Sequence, residues 1–434
     1  MLEIYFETYG CTANYNSTEI MKGLVKQAGL NITSNVDYAD LIIMNSCIVK
    51  EPTEEKIRRR IQDLLKKNKK IILAGCLPPV NKKIFKNHQG KNLFLLDTSR
   101  VRDITNLIYS IKKREYSPER YLLKKKEVKL CLPKIPKEKY IGITQISEGC
   151  LGECSYCLTK TAKGKLFSYP KEKILESVKR DVDSGCREIW ITSQDNASYG
   201  NEGGEYLLPE LIREILNLKG NFFVRVGMMN PDNMLKILPE LIEIYKNKKI
   251  FRFLHIPVQS GSNKILKLMN RKYSVEDFLE IISKFRKEFP EIHISTDFIV
   301  GFPEETEEDF NRTYNLLKIL KPETININRF WPRPETSASR FENQISPEII
   351  KKRIIKLSKL HHEICLESQK KYISRECEVL ASQKGISEFP DTYLARDINY
   401  KLFSVNTKEK ILGKKLKVKV VRTTPHYLIS EIIN

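Results

Sequence analysis

Apolar residues recur along this chain in two alternating rhythms. Short unbroken runs read as buried strands, and longer stretches with an apolar residue every third or fourth position read as helices. Over residues 1–112 the runs at 2–6, 41–44, 71–73 and 92–96 predict strands, and 17–28, 53–67 and 101–111 predict helices. Repeated β–α alternation predicts a doubly wound parallel sheet, which takes its ligands at the carboxyl ends of the strands. The period then fails over 113–139, a stretch rich in Lys, Arg, Glu and Pro that reads as a charged surface linker. It resumes on a larger scale from residue 140. Strands are expected at 140–146, 187–192, 222–226, 250–256, 292–299 and 324–328, with helices at 171–184, 207–217, 232–246, 275–288 and 306–318. Six such units over 140–370 predict a partial (β/α)6 barrel, open for chemistry at the strands' carboxyl ends. A basic helix at 347–371 leads into short segments at 376–381, 392–395, 402–405, 415–421 and 427–433, punctuated by Pro390, Gly413 and Pro425. That pattern predicts a small β-barrel over 371–434. The fold class is therefore α/β with a C-terminal all-β module.

Length agrees with this division, since 434 residues give room for about three domains. No apolar run approaches the ~20 residues that span a bilayer, and the N-terminus lacks a signal-peptide pattern. A soluble intracellular protein, not associated with a membrane, is expected. Ten cysteines in such a chain point to metal binding or catalysis rather than to disulfides. The formal charge of +21 points to an acidic partner, of which nucleic acid is the obvious one. Lys415, Lys417 and Lys419 alternate with apolar residues, so one face of their strand should be basic and suited to phosphates. A solvated edge strand using lysine against aggregation is the other reading of that stretch.

The cysteines change the picture most. Cys150, Cys154 and Cys157 form a C-x3-C-x2-C array directly after a predicted strand, with no histidine nearby. A structural zinc site is closed by four ligands. Three thiolates on a [4Fe–4S] cube leave one iron open to a substrate or cofactor. Cys11, Cys47 and Cys76 each follow a strand of the first sheet, so three loops at one sheet edge present one thiol each. They form a second candidate triad with an open iron. Cys131 sits in the linker without partners and receives no role. The polar residues that close the barrel strands are the candidate cofactor contacts: Ser193, Gln194, Asn230, Gln259, Ser260 and Asp297, with Arg271 placed to meet a carboxylate bidentately. The Phe330-Trp331-Pro332-Arg333-Pro334 run near the mouth suits stacking on a splayed-out base or packing of the barrel rim.

Several stretches carry a specific resemblance: Tyr9-Gly10-Cys11, Asn45-Ser46-Cys47-Ile48-Val49-Lys50, Ala74-Gly75-Cys76 and the C-x3-C-x2-C array with Thr159-Lys160. Ile191 to Asp195 through Tyr199-Gly200, Gly227 to Pro231 and Phe253 to Ser262 add to it. Together they resemble the radical S-adenosylmethionine (SAM) methylthiotransferases over essentially the whole chain, and within them the archaeal and eukaryotic threonylcarbamoyladenosine tRNA methylthiotransferases. The resemblance implies an N-terminal cluster domain, a radical SAM core and a C-terminal TRAM barrel. It implies two [4Fe–4S] clusters, the second of which binds SAM, with SAM serving as methyl donor and radical source. It further implies methylthiolation of C2 of N6-threonylcarbamoyladenosine at tRNA position 37, with tRNA and an electron donor as partners. A cytoplasmic monomer is expected. Two positions depart from the family habit: Lys163 where arginine is usual, and Pro79 where glutamine is frequent. The rival readings are another modified adenosine or a ribosomal protein as substrate, and, from another class, a non-catalytic zinc-dependent RNA-binding protein. The Lys-rich strand argues against a basic ribosomal protein, and the scarcity of histidine argues against zinc.

Overall fold

The computed structural model describes residues 2–385 and 391–433; Pro390 lies outside them. Its first sheet has five parallel strands, β1 (Glu3–Thr8), β2 (Asn31–Ile32), β3 (Leu41–Ser46), β4 (Lys70–Gly75) and β5 (Leu93–Leu95), in the order β2-β1-β3-β4-β5. Helices α1 (Thr12–Gln27), α2 (Glu51–Lys66), α3 (Leu77–Val80) and α4 (Ile104–Lys113) accompany it. Every residue of β3 is buried because helices cover both faces. Ile42 and Met44 pack with Ile57 and Ile61 of α2, whereas Leu41 and Ile43 pack with Ile20 and Val25 of α1. Such two-sided burial explains why the strand reads as an unbroken apolar run.

Residues 113–139, read from sequence as a charged surface linker, are partly buried. They contain a short helix, α5 (Pro118–Leu122), and bury Tyr121, Leu122, Lys129 and Leu130. Gly23 of α1 lies so close to the Pro133 backbone that a Cβ would fall 2.2 Å from its carbonyl oxygen. The segment is therefore packed on both sides, against α1 at Pro133 and, through Leu130, in the core cluster of the central unit.

The central unit contains β6 (Ile141–Gln145), β7 (Ser147–Glu148), α6 (Thr159–Lys163), β8 (Phe167–Ser168), α7 (Lys171–Asp183), β9 (Glu188–Thr192), α8 (Leu208–Asn217) and β10 (Phe223–Val226). It continues through α9 (Pro231–Leu235), α10 (Leu238–Tyr245), β11 (Phe253–His255), α11 (Asn263–Leu268), α12 (Val275–Glu288), β12 (His293–Val300), α13 (Glu307–Leu320), β13 (Thr324–Arg329) and α14 (Pro347–Lys370). Two parallel sheets, β10-β9-β6 and β11-β12-β13, are joined by a bridge between Val224 and Ile250 into a six-stranded partial barrel. Ile189, Ile191, Val224, Ile294 and Phe298 point outward beneath the helices. Their neighbours in register, among them Trp190, Arg225, His255 and Asp297, are left for the lumen. The helix predicted over 232–246 is broken between Leu235 and Leu238, where Pro239 stands in the first turn of α10.

Strands β14 (Glu376–Lys384), β15 (Thr392–Arg396), β16 (Leu402–Asn406), β17 (Lys415–Thr423) and β18 (Leu428–Ile432) close a barrel in the order β14-β15-β16-β18-β17. Its β15–β16 turn closes the lower end of the larger barrel. Arg252 N–H donates to the Ile398 carbonyl (2.8 Å), and the Tyr400 ring packs on Phe251 (4.9 Å) and Phe253 (4.7 Å). The Arg225 guanidinium lies 4.5 Å from the Phe253 ring centre and 5.6 Å from that of Tyr400. The amino ends of the strands are thus occupied, and chemistry is left to the carboxyl ends. No helix among the described residues is long and apolar enough to cross a membrane.

Candidate metal centre and cofactor site

The first triad is assembled by loops at the carboxyl ends of β1, β3 and β4. Cys11 is the N-cap residue of α1, Cys47 follows β3, and Cys76 is the N-cap residue of α3. A buried polar lacing holds the loops together. Asn14 Nδ2 donates to the carbonyls of Tyr9 (2.8 Å) and Ser46 (2.9 Å), and Asn45 Nδ2 donates to the Asn14 carbonyl (2.7 Å). Cys76 N–H donates to the Ser46 carbonyl (3.0 Å), and Leu77 N–H to Ser46 Oγ (3.2 Å). Gly10, at φ +108°, has no room for a side chain: its Cβ would stand 2.9 Å from Cys47 Sγ. These contacts bring the Cys11 and Cys47 loops together.

The second triad occupies the loop between β7 and α6. Gly149, at φ +84°, lies against the Lys165 backbone, and its N–H donates to Gln194 Oε1 (2.8 Å). A chain of contacts then runs across the barrel mouth. Buried Asp195 accepts from Asn230 N–H (3.0 Å), Asn230 Nδ2 (3.0 Å) and Asn233 Nδ2 (2.7 Å). Asn230 Oδ1 accepts from Arg271 Nη2, and Arg271 Nη1 lies 3.2 Å from Cys154 Sγ. Arg271 Nε donates to Tyr273 Oη (3.0 Å). Burial pushes the Asp195 carboxyl up to about 6. Of the residues picked from sequence, Gln194, Asn230 and Arg271 thus lie in one network with the second triad. Asp297 is paired instead with His255 (2.7 Å) across β11 and β12. Ser193 Oγ is buried without a hydrogen-bond partner among the described residues, and Gln259 adopts φ +69°. Ser260 is fully buried with its hydroxyl 3.4 Å from Thr313 Oγ1 of α13, a packing position rather than a lumen-facing one.

The two triads are neighbours. Helix α6 begins directly after Cys157-Leu158, and its Ala162, with Leu158, packs in one apolar cluster with Cys76 and Leu77. Lys163, at the end of α6, is buried; its ammonium donates to Glu148 Oε1 (2.9 Å) and to Thr98 Oγ1. Arg333 makes the other junction, with Nη1 donating to Glu54 Oε2 (2.8 Å) and Nη2 to the Ile48 carbonyl beside Cys47. The aromatic–cationic run around Trp331 is therefore used chiefly in packing: Phe330 meets Phe302 at 5.1 Å, and Arg329 lies 4.1 Å from the Trp331 ring centre. Pro79 is buried in α3.

Sequence reading missed Asn14, Asn45, Ser46 and Tyr273. Asn45 and Ser46 precede Cys47 in a quoted stretch and Asn14 stands three residues after Cys11, and that proximity was the available signal.

Three thiols in each place suit an iron–sulfur cube with one open iron. Among the described residues no three such groups are gathered as ligands of a single metal ion. Cys47 and Cys76 are buried, Cys150, Cys154 and Cys157 are half-buried, and Cys11 is exposed. Burial pushes Cys76 up to about 12, burial and the Asp195 charge push Cys150 up to about 12, and burial raises Cys47 and Cys157. Ionised thiolates there need a cationic centre, which a cluster's irons provide. Backbone N–H groups already point at three sulfurs: Val49 at Cys47 (3.4 Å), Gly152 at Cys150 (3.2 Å) and Thr159 at Cys157 (3.3 Å). Such bonds are among the features that set cluster potentials.

Comparison with known proteins gives the following. Residues 144–317 match the family described as Radical SAM superfamily, and residues 3–96 match Uncharacterized protein family UPF0004. The chain is 39% identical over its whole length to a protein of Pyrococcus horikoshii named "Probable threonylcarbamoyladenosine tRNA methylthiotransferase", also covered completely. It is 40% identical to the Archaeoglobus fulgidus protein of that name, with 99% of each chain covered. The human threonylcarbamoyladenosine tRNA methylthiotransferase is 34% identical, covering 98% of this chain and 73% of its own. Among solved structures, the radical SAM methyltransferase TsrM of Kitasatospora setae, with cobalamin and a [4Fe-4S] cluster bound, superposes with TM-score 0.55. The match spans 76% of this chain and 74% of that one at 12% identity, a likeness of fold.

Proposed function

This chain belongs to the threonylcarbamoyladenosine tRNA methylthiotransferase family, and we infer that it performs that reaction. It is a radical SAM transferase that places a methylthio group on C2 of N6-threonylcarbamoyladenosine in tRNA, at position 37 beside the anticodon. The observation that carries this reading is the junction of the two thiol triads through Leu158 and Ala162 against Cys76 and Leu77. One site for SAM cleavage and one for sulfur delivery must both reach a single substrate carbon.

The residues fit two [4Fe–4S] clusters, on Cys11, Cys47 and Cys76 and on Cys150, Cys154 and Cys157. When bound, these clusters and SAM supply the electron, the radical chemistry, the sulfur and the methyl group. The chain's own task is positioning. Asp195 fixes Asn230, Asn230 holds Arg271, and Arg271 stands beside Cys154, so the mouth presents a guanidinium and an amide in fixed places. A guanidinium there suits the carboxylate of SAM. The lower end, closed by Tyr400 and Arg225, limits entry of water from below. The reaction also calls for an external electron donor, and we take the working form to be a cytoplasmic monomer.

The RNA grip is proposed to include the C-terminal, TRAM-like barrel, with a smaller share than the lysine pattern alone implies. Lys415, Lys417 and Lys419 are exposed on one face of β17. Lys417 stands opposite Glu378 and Lys419 opposite Glu376, however, and the Lys415 ammonium lies 4.6 Å from the Phe223 ring centre of the larger barrel. Cross-strand glutamates offset part of the field. Changing all three lysines to Glu is expected to flatten the log–log salt dependence of tRNA binding by up to about two units, one for each of Lys417 and Lys419. Unchanged affinity and slope in a filter-binding titration would move the grip elsewhere.

The reaction itself is tested with anaerobically reconstituted protein, SAM, dithionite and two forms of one tRNA, with and without the threonylcarbamoyl group. Mass analysis should find the methylthio product only in the modified tRNA. Equal product on the tRNA lacking the threonylcarbamoyl group would overturn the substrate assignment.

A further inference from the structure

Between the two triads lies a buried row of alternating charge. Asp97 is fully buried, and its Oδ2 has no hydrogen-bond partner among the described residues. The ammonium of Lys129 donates to the carbonyl of the next residue, Thr98 (2.6 Å), and to both oxygens of Glu148 (2.7 and 2.8 Å). Glu148 Oε1 also accepts from Lys163 (2.9 Å). The side chains of Lys129, Glu148 and Lys163 are 0%, 7% and 2% exposed, so water screens little of this row. The order is carboxylate, ammonium, carboxylate, ammonium. Lys163 directly follows Ala162, which packs in one apolar cluster with Cys76, and the Cys76 and Cys11 charges act on its ammonium.

Two buried ammonium groups, Lys129 and Lys163, share the single carboxylate of Glu148, and burying the second is costly unless a further anion stands near it. A [4Fe–4S] cube in its 2+ state on three thiolates carries a net charge of −1, and one added electron makes it −2. Lys163 is therefore placed where it favours the occupied site and, more strongly, the reduced one. Arg333, at the opposite side of the same triad, is likewise a paired cation: it meets Glu54 at 2.8 Å, a carboxylate it shares with Arg58.

We propose that Lys163 is a positioning and tuning residue for the N-terminal cluster, an ammonium contributed by the core that raises the reduction potential of the cluster on Cys11, Cys47 and Cys76. The proposal rests on the reading that this triad holds a cluster. It assigns a role to a lysine whose side chain is buried and paired with Glu148: the position needs a buried cation, which arginine would also supply. Any electron comes from an external reductant, and no bond at Lys163 forms or breaks.

The test uses the full chain with Cys150, Cys154 and Cys157 changed to Ala, so that only the N-terminal cluster reports. Its midpoint is measured by dithionite titration followed by electron paramagnetic resonance. If this parent holds no iron, the cluster reading fails, and the role of Lys163 falls with it. With iron present, Lys163→Met should lower the ratio of reduced to oxidised cluster at least tenfold at fixed potential, a shift of about 59 mV for one electron. Lys163→Arg should restore the midpoint. Lys129→Met, which removes the more distant cation, should shift it less. Glu148 keeps Lys129 as a partner in Lys163→Met, so the variant does not strand a buried carboxylate. Lys163→Gln, which retains a donor for Thr98 and Glu148, should behave like Lys163→Met. Loss of iron from both neutral variants but not from Lys163→Arg would also support a cation requirement. An unchanged midpoint in Lys163→Met and Lys163→Gln at full iron occupancy, or an equal shift in Lys163→Arg, would overturn the proposal.

Discussion

Replacing Cys11, Cys47 and Cys76 together by alanine will leave a protein that still converts SAM to 5′-deoxyadenosine and methionine under reducing conditions, yet gives no methylthiolated tRNA. The groups gathered around the second triad all come from the central barrel: Gln194 on Gly149, and Arg271 beside Cys154 with Asn230 and Asp195 behind it. None depends on the first sheet. The first triad contributes the sulfur of the product, and without thiolates no cluster can be held there. Packing loss should be modest, since removing a sulfur costs on the order of 1 kcal/mol at each of the two buried sites, Cys47 and Cys76, and Cys11 is exposed. Chromatography of SAM products beside nucleoside analysis of the tRNA separates the two activities. Loss of SAM cleavage with the second cluster intact would show that the division of labour is wrong.

The complementary substitution, Cys150, Cys154 and Cys157 to alanine, should abolish SAM cleavage and tRNA modification together. Reconstituted parent protein should hold about eight irons, and the variant about four. Arg271 would lose its sulfur neighbour but keep Asn230 and Tyr273, so the mouth should remain folded. Iron and zinc are counted by elemental analysis of the same samples. Stoichiometric zinc without iron–sulfur absorbance would contradict both triads at once.

Much of the architecture was legible because its strands are buried on both faces and its helices on one. Helix α12 (Val275–Glu288) has the predicted bounds, aided by the Ser274–Asp277 capping box. Helix α1 was harder to bound. It starts at Thr12, five residues earlier than its apolar period announces, because Asn14, Asn16, Ser17, Thr18 and Glu19 are all buried. Polar side chains buried against other loops carry no hydrophobic signal. For the same reason residues 113–139 looked like a surface linker: nothing local distinguishes buried Lys129, held by Glu148 and the Thr98 carbonyl, from the solvated lysines around it. The cysteines were legible through their position at strand ends. Their juxtaposition was not, because it depends on α6 packing against α3, a contact between segments about 80 residues apart. Lys163 likewise stands out as a departure in sequence, and only its burial between Thr98 and Glu148 gives that departure a physical meaning.

The most direct measurement is nucleoside mass analysis of tRNA from cells lacking this protein and from the same cells regaining it. The account predicts N6-threonylcarbamoyladenosine without its 2-methylthio form in the first, and the 2-methylthio form restored in the second. Restoration should fail when the returning copy lacks either cysteine triad. Undiminished 2-methylthio-N6-threonylcarbamoyladenosine in the cells lacking the protein, or its return with a copy lacking a triad, would contradict the account.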